Sequence, residues 1–356
     1  MRSTAFIIGI SALLLAGCTN EKHRFFQKTI ILDRSNSDRL YADWIAHETT
    51  TDPDPGNPLD YLELPMDIAI GPNDSIYVAD QKLDHIVVFD HAGDPVRRFG
   101  RRGQGPGEFQ NLLSIVFDTK SLLWARDTHT VQVLDLSGCT IASYRTPLMD
   151  YNGMSTMLPG NYYWTGNPGL DQILVLHQKD KEPILHVDDD YLDISSSHDF
   201  EKLTPREYIG YAASLISGKT AVLFPVVSRR KHMVWLHIYD QDGVLEAEYD
   251  IDPAFEIDWV KPPSEMDENT IQMNFSGMCA DPEGGFYVVA TGHCLICHFD
   301  EIAGTFDRIY EVWMISDDDT EERVDVIYGI EIDSKGRFIL SGFDSSALGF
   351  LMRVAE

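Results

Sequence analysis

Positive charge is scarce in this sequence: 28 lysines and arginines stand against 57 aspartates and glutamates, a formal net charge of −29. So acidic a surface repels phosphate backbones and anionic headgroups, which argues against nucleic acid as a partner and leaves a saline habitat or an affinity for cations as its meaning. Cysteine is scarce too, with five in 356 residues. Long apolar runs are limited to Ala5–Leu15, too short to span a bilayer. The glycine-rich stretch Gly103-Gln-Gly-Pro-Gly107 lacks the Lys-Ser/Thr ending of a phosphate loop. Asp188–Asp190 and Asp317–Asp319 lack the alternating spacing and glycine of a calcium loop and read as solvated turns. At 44% hydrophobic and 24% charged, the chain is neither disordered nor membrane-spanning.

What the sequence does contain is a repeat. Asp67–Ile70, Ser75–Ala79, His85–Phe89 and Pro95–Phe99 are four short runs rich in β-branched and aromatic residues, too short for helices, and they read as strands. Gly71–Asp74, Asp80–Asp84 and Asp90–Gly93 separate them as hairpin turns. The second and third runs are apolar on both faces and the fourth alternates with arginine, the gradient expected when inner strands are covered on both sides and the outer one is half wet. A shift of 47 carries Ile68 onto Ile115 and Asp80 onto Asp127; a shift of 210 carries Ile86–Asp90 onto Ile296–Asp300; a shift of 262 carries Ile76 onto Phe338. Six units result, at about 64–109, 113–144, 154–187, 211–251, 272–315 and 327–356. Such an array buries its apolar faces only by closing. The expected fold is all-β, a six-bladed β-propeller of four-stranded antiparallel blades over 28–356. The last unit has room for only three strands, so an N-terminal strand should complete it: Thr29–Leu32 is the preferred candidate and Asp43–Ala46 the other.

Tyr77-Val-Ala-Asp80, Val88-Phe-Asp90, Gly93 and Phe99–Phe109 resemble NHL-type repeats, and more closely the bacterial lipoproteins described as six-bladed β-propellers. The resemblance implies the fold and no single activity. The repeat is degenerate further on, where Ala290 and Gly342 stand at the place of Asp80.

Met1–Gly17 has one arginine and a short apolar core, the pattern of a secretory signal. Leu15-Ala-Gly-Cys18 looks like a bacterial lipobox, with Cys18 as the lipidated residue and 18–27 as the tether. Thr19 beside it, in place of aspartate, resembles lipoproteins passed on to an outer membrane. The expected address is the cell envelope, lipid-anchored, with the membrane touched through the anchor alone.

In such a ring the loops between second and third strands, and those leading into the next blade, emerge on one face around the channel mouth, the expected binding face. It would carry Asp80, Lys82, His85, Asp127, His129, Arg229, Arg230, Lys231, His232 and His293. Asp80 and Asp127 read first as acids accepting their own turns' amides. His85, His129 and His293 are candidate ligands for Zn²⁺ or Ca²⁺, set against exposed rim histidines as the plainer reading. Cys294-Leu-Ile-Cys297-His298 spells the c-type haem signal. On a strand, however, Cys294 and Cys297 point to opposite faces, so the core-strand reading is preferred. Cys279 and Cys297 lie two strand spacings apart, about 9.6 Å, beyond a disulfide. No cofactor and no catalytic residue is assigned. The expected function is a binding or scaffold module for a protein, peptide or glycan; the alternative is a metal-dependent lyase or lactone hydrolase built on the rim histidines.

Overall fold

The computed structural model describes residues 27–32, 37–47, 62–117, 121–128, 130–145, 155–158, 162–167, 172–179, 182–187, 211–228, 231–239, 245–253, 271–272, 275–290, 295–315, 320–324, 326–343 and 349–354. These are almost entirely strand. β1 (Gln27–Leu32) and β2 (Asp38–His47) precede the first four-stranded sheet, β3 (Pro65–Ile70), β4 (Ile76–Asp80), β5 (His85–Phe89) and β6 (Pro95–Phe99). The second sheet is β7 (Ser114–Phe117), β8 (Leu123–Arg126), β9 (Thr130–Leu134) and β10 (Thr140–Arg145). The third is β11 (Ser155–Leu158), β12 (Tyr162–Asn167), β13 (Gln172–Lys179) and β14 (Glu182–Val187). The fourth is β15 (Tyr211–Ser214), β16 (Thr220–Ser228), β17 (Lys231–Tyr239) and β18 (Leu245–Pro253), with β19 (Ile271–Gln272) against β16. The fifth is β20 (Ser276–Ala280), β21 (Phe286–Ala290), β22 (Leu295–Asp300) and β23 (Thr305–Ile315), with β24 (Glu321–Arg323) on its edge. β25 (Val326–Ile332), β26 (Phe338–Phe343) and β27 (Gly349–Val354) begin the sixth. Each sheet is an antiparallel meander.

The ring is visible in the first strand of each sheet. β3 lies beside β7, β7 beside β11, β11 beside β15, β15 beside β20, β20 beside β25, and β25 returns to β3. The fold is a six-bladed β-propeller, and these six strands surround its channel.

Closure differs from the preferred reading. Thr29–Leu32 does not complete the last blade: β1 runs parallel to β18 on the outer edge of the fourth, Ile30 opposite Ile251. The closing strand is β2, whose second half pairs antiparallel with β27, Ala42 opposite Val354 and His47 opposite Phe350. Side-chain pattern explains the choice. Ala42 is buried among Phe350, Met352 and Val354, the Trp44 ring meets Phe350 edge-on at 5.6 Å, and Ile45 packs with Phe89 and Leu351 between the last blade and the first. The first half of β2 runs parallel to β23, fixed where Arg39 stacks over Trp313 at 4.1 Å and pairs with Glu321 at 2.7 Å. The N-terminal strand therefore ties the fifth and sixth blades together as well as closing the circle.

The core is layered between blades. Tyr77, Ala79, Ile86, Val88, Ile115 and Leu134 fill the gap between the first two sheets. Ile68, Val78, Val87, Ile339 and Leu351 fill that between sixth and first. Middle strands β4, β5 and β21 are buried at every position while β6 alternates. Each such aliphatic or aromatic side chain is worth about 1.5–3 kcal/mol when buried, a gain available only when the neighbouring blade is in place. Gly138 shows how tight the gaps are: it takes φ +88°, and a Cβ there would lie 2.5 Å from the Phe99 ring of the preceding blade.

Candidate functional site

The turn between β4 and β5 and the crossover from β6 to β7 share one face. Asp80 ends β4 fully buried. Its Oδ2 accepts the Glu63 amide at 2.6 Å, and its Oδ1 accepts those of Leu83 at 3.0 Å and Leu64 at 3.3 Å. Burial nevertheless pushes its pKa up against those bonds. One blade on, the Asp127 carboxylate likewise accepts backbone amides, Gln110 N at 2.9 Å and Thr130 N at 2.6 Å. Asp84 accepts Leu112 N at 3.2 Å and faces Arg102 at 3.8 Å. These acids hold the segments that enter and leave the first two blades.

Within the crossover, Glu108 gathers the glycine-rich loop. Glu108 Oε2 accepts the amides of Gln104 and Gly105 at 3.1 and 3.0 Å, and Oε1 accepts Arg101 Nη2 at 2.7 Å. A Cβ on Gly103 would collide with that carboxylate at 2.1 Å, so the glycines make room for the acid rather than for a phosphate.

Lys82 is exposed and pairs with Glu63. His85 is buried; burial first, and Arg98 second, depress its pKa to about 4. Its imidazole is neutral at neutral pH, and Nε2 has no hydrogen-bond partner among the described residues. His129, Arg229, Arg230 and His293 lie outside the described residues. Lys231 and His232 start β17, paired through their backbones with Ser228 and Val227. Of the three candidate metal ligands the structure thus places His85 alone, and no group of three potential ligands occurs among the described residues. Also outside them are Met1–Gly17, Cys18, Cys294, the two acidic triplets and residues 146–150, 188–206 and 254–270.

His298 is placed, and both its nitrogens are engaged: Nδ1 with Asp307 at 2.5 Å, Nε2 with Asp281 at 3.1 Å and the Gly284 carbonyl at 3.0 Å. Arg308 also reaches Asp281 at 3.1 Å. This network pins the β20–β21 turn to the β22–β23 hairpin. Cys297 packs between the fourth and fifth sheets and Cys279 between the fifth and sixth; both are free, and burial pushes both thiols up.

The polar cluster that the sequence reading did not single out lies in the channel. Asp67 on β3 accepts Ile68 N at 3.0 Å and, across the blade boundary, Ile115 N at 2.8 Å. Burial raises its pKa to about 7. On β25, burial first and Asp67 second raise Glu331 to about 8. Both keep some solvent contact despite their depth, as groups lining an internal channel do. Tyr211, on the blade opposite Asp67, is 2% exposed, and its phenol oxygen has no partner among the described residues. Burial raises its pKa, assisted by Tyr328 and Asp67. The inner strands bend there: β3, β20 and β25 each carry a bulge near their starts, a device that re-aims side chains. Carboxyls within apolar strands, as in Met66-Asp-Ile68 and Ile330-Glu-Ile332, were the available sequence signal.

With the geometry established, comparison places the chain among propellers. A family described as a 6-bladed beta-propeller matches residues 68–244. Among solved structures, a streptogramin B lyase is 13% identical with a TM-score of 0.53, covering 89% of this chain and 97% of its own. The calcium-binding protein regucalcin from Agrobacterium tumefaciens is 10% identical at TM-score 0.53, covering 90% and 95%. A putative exported protein from Bacteroides fragilis is 11% identical at TM-score 0.51, covering 92% and 98%. At these identities the likeness is one of fold. No curated protein matches the chain.

Proposed function

We propose that this protein is an exported, lipid-anchored propeller with NHL-like repeats that binds a protein, peptide or glycan at the channel-mouth face and performs no chemistry of its own. The observation that carries this reading is how the mouth acids are used. Asp80, Asp84 and Asp127 are each bonded to backbone amides of the crossovers, which fixes the loops in advance and spares a ligand the cost of ordering them. Lys82, Arg101 and Arg102 are left pointing outward, with side chains 66%, 79% and 83% exposed. The N-terminal signal and Cys18 support export and anchoring to the envelope, at the outer membrane.

The test is capture of ligands from the native envelope by the full chain, with the Lys82→Glu/Arg102→Glu variant as control. The variant should melt like the wild type and lose the specific ligand; capture unchanged by the substitutions would move binding off this face. Cys18→Ala should release the protein from the membrane fraction.

The second reading, a metal-dependent lyase or lactone hydrolase, is favoured by one observation. His85 is neutral, buried and unpartnered at Nε2, the state a metal-binding imidazole requires. Metal analysis of the purified protein before and after chelation separates the two, since a stoichiometric Zn²⁺ or Ca²⁺ lost together with activity would displace the binding-module reading.

A further inference from the structure

Exposed apolar side chains are unevenly placed on the ring. In each antiparallel meander the turns between first and second strands, and between third and fourth, lie on the face opposite the mouth. Of seven large hydrophobic side chains exposed among the described residues, five stand at that far face. Leu136 lies in the β9–β10 turn, Ile216 in the β15–β16 turn and Ile302 in the β22–β23 turn, while Val96 and Ile141 are second in the strands that leave such turns. Trp44 already meets Phe350, which leaves Ile315, at the mouth end of β23, as the exception. Single exposed apolar residues are ordinary; a set gathered on one face calls for a partner. Ile216 and Ile302 are the most open of the seven, at 69% and 94%. Their turns touch, because the Ser217 hydroxyl donates to Glu301 Oε2 at 2.8 Å.

The chain enters the ring at this same face. β1 pairs parallel with β18, Gln27 opposite Glu248; Glu248 stands opposite His237, and His237 opposite Val222. Val222 is two residues beyond Thr220, the first strand residue after the Ile216 turn. Had β1 run antiparallel, Gln27 would lie toward the mouth. β18 and β17 separate β1 from β16, three strand spacings or about 14 Å. Lys219, paired with Glu246 at 2.9 Å, joins the Ile216 turn to β18 across that width. Only residues 19–26 stand between Cys18 and Gln27, a stretch that reaches about 30 Å at full extension. Cys18 is therefore held near the far rim of the fourth and fifth blades, where the two most open isoleucines are.

We propose that the face opposite the mouth rests on the lipid surface that holds Cys18, with Ile216 and Ile302 entering it together and the mouth turned away. The inference rests on the lipid-anchored reading and adds a protein face to a contact otherwise made through the anchor alone. The acyl chains hold the protein to the bilayer, and the isoleucines decide which way it faces; two side chains are too few to bind a membrane unaided. The receiving surface is zwitterionic rather than anionic, because Glu301 stands beside Ile302 and the whole chain carries −29. A second copy is a poorer occupant, since it would bring an equal negative charge against the same turns.

The experiment takes protein purified from the envelope, determines by mass spectrometry whether Cys18 carries lipid, and reconstitutes it on phosphatidylcholine vesicles. In a Cys139→Ser/Cys294→Ser background, Ile302→Cys and, separately, Lys82→Cys carry an environment-sensitive fluorophore; Cys279 and Cys297 are buried with raised pKa values and stay unlabelled. Brominated acyl chains should quench the label at 302 at least about threefold more than that at 82, and aqueous iodide should do the reverse. Ile216→Asp should cut lipid quenching at 302 by about half or more, with the melt unchanged because the side chain is exposed. Equal quenching at the two positions, the opposite order, or indifference to Ile216→Asp would each overturn the proposal. So would shielding at 302 that appears without vesicles and grows with protein concentration, which would assign the face to a second copy. A Cys18 free of lipid overturns the anchoring reading and this inference with it; a lipidated Cys18 with position 302 as open to iodide as position 82 overturns this inference alone.

Discussion

Asp90 and Asp67 belong to the same sheet and stand in opposite electrostatic circumstances. Asp90 opens an outer hairpin, where its Oδ1 accepts the amides of Ala92, Gly93 and Asp94 at 2.9, 3.0 and 3.0 Å. Those bonds, that of Asp94 foremost, hold its carboxyl below the ordinary range. The device recurs. Asp135 is lowered by the Ser137 hydroxyl and the Cys139 amide, and Asp300 by the amides of Ala303 and Ile302. At Asp333 burial pulls the other way, but the Arg337 guanidinium and backbone amides outweigh it. Asp67 and Glu331, at the axis, are raised by burial. A carboxylate beside several amides at a solvated turn is held ionised; a carboxyl sunk at the channel with little to neutralise it keeps its proton to higher pH.

The two populations respond to pH with opposite sign. A turn aspartate binds fewer protons folded than unfolded, so its contribution is present above the unfolded pKa and disappears as pH falls through the folded one. The channel pair retains protons that the unfolded chain has shed. Its contribution is full below the unfolded carboxyl values and is lost as pH rises toward about 7 for Asp67 and about 8 for Glu331, after which it levels off.

Asp80 is the case that breaks the comparison, because it is buried like the channel acids and bonded like the turn ones. Replacing it with alanine orphans three amides in a dry place, and we expect the largest loss here, about 2–4 kcal/mol in urea unfolding, with asparagine recovering part of it. A cost under about 0.5 kcal/mol would mean the mouth segments are held by something else.

Glu331→Gln sharpens the channel side. Removing an ionisation that folding opposes should stabilise the protein by about 1–2 kcal/mol at pH 8.5 and leave it unchanged at pH 4, measured as paired thermal melts. Equal shifts at both values would assign the effect to packing. Asp333→Asn sharpens the turn side with the opposite dependence: a loss of about 1 kcal/mol at pH 7 that fades as pH falls through the lowered pKa of the native carboxyl.

The turn population was legible in the sequence, and the channel population was not. Asp90, Asp135, Asp281, Asp300 and Asp333 each precede a glycine by three or four positions, a local pattern that repeats with the blades, and the same regularity gave the strands and their number. Asp67, Tyr211 and Glu331 hold no common place in the repeat: a shift of 262 carries Asp67 onto Gly329, two residues short of Glu331. They meet because the ring closes, so their proximity is a property of the circle rather than of any stretch of chain. Closure itself was misjudged for a related reason. Thr29–Leu32 has the more strand-like composition, but a closing strand must suit two neighbouring blades at once, and Ala42, Trp44 and Ile45 do so through contacts distant in sequence.

The smallest expected effect concerns a single mouth cation, Lys82. Lys82 pairs with Glu63, but its side chain is 66% exposed, so water and salt screen the attraction and the flexible lysine gives up rotamer freedom to hold it. Lys82→Ala should therefore change stability by less than about 0.5 kcal/mol, within the error of a melt. Glu63 would remain placed, because its amide is held by Asp80 at 2.6 Å whatever its side chain does. A lysine that contributes little to the fold while standing at the mouth can exchange Glu63 for a ligand at little cost to the ring. Lys82→Ala should accordingly weaken capture at the face while leaving the pH profile of the channel carboxyls where it was.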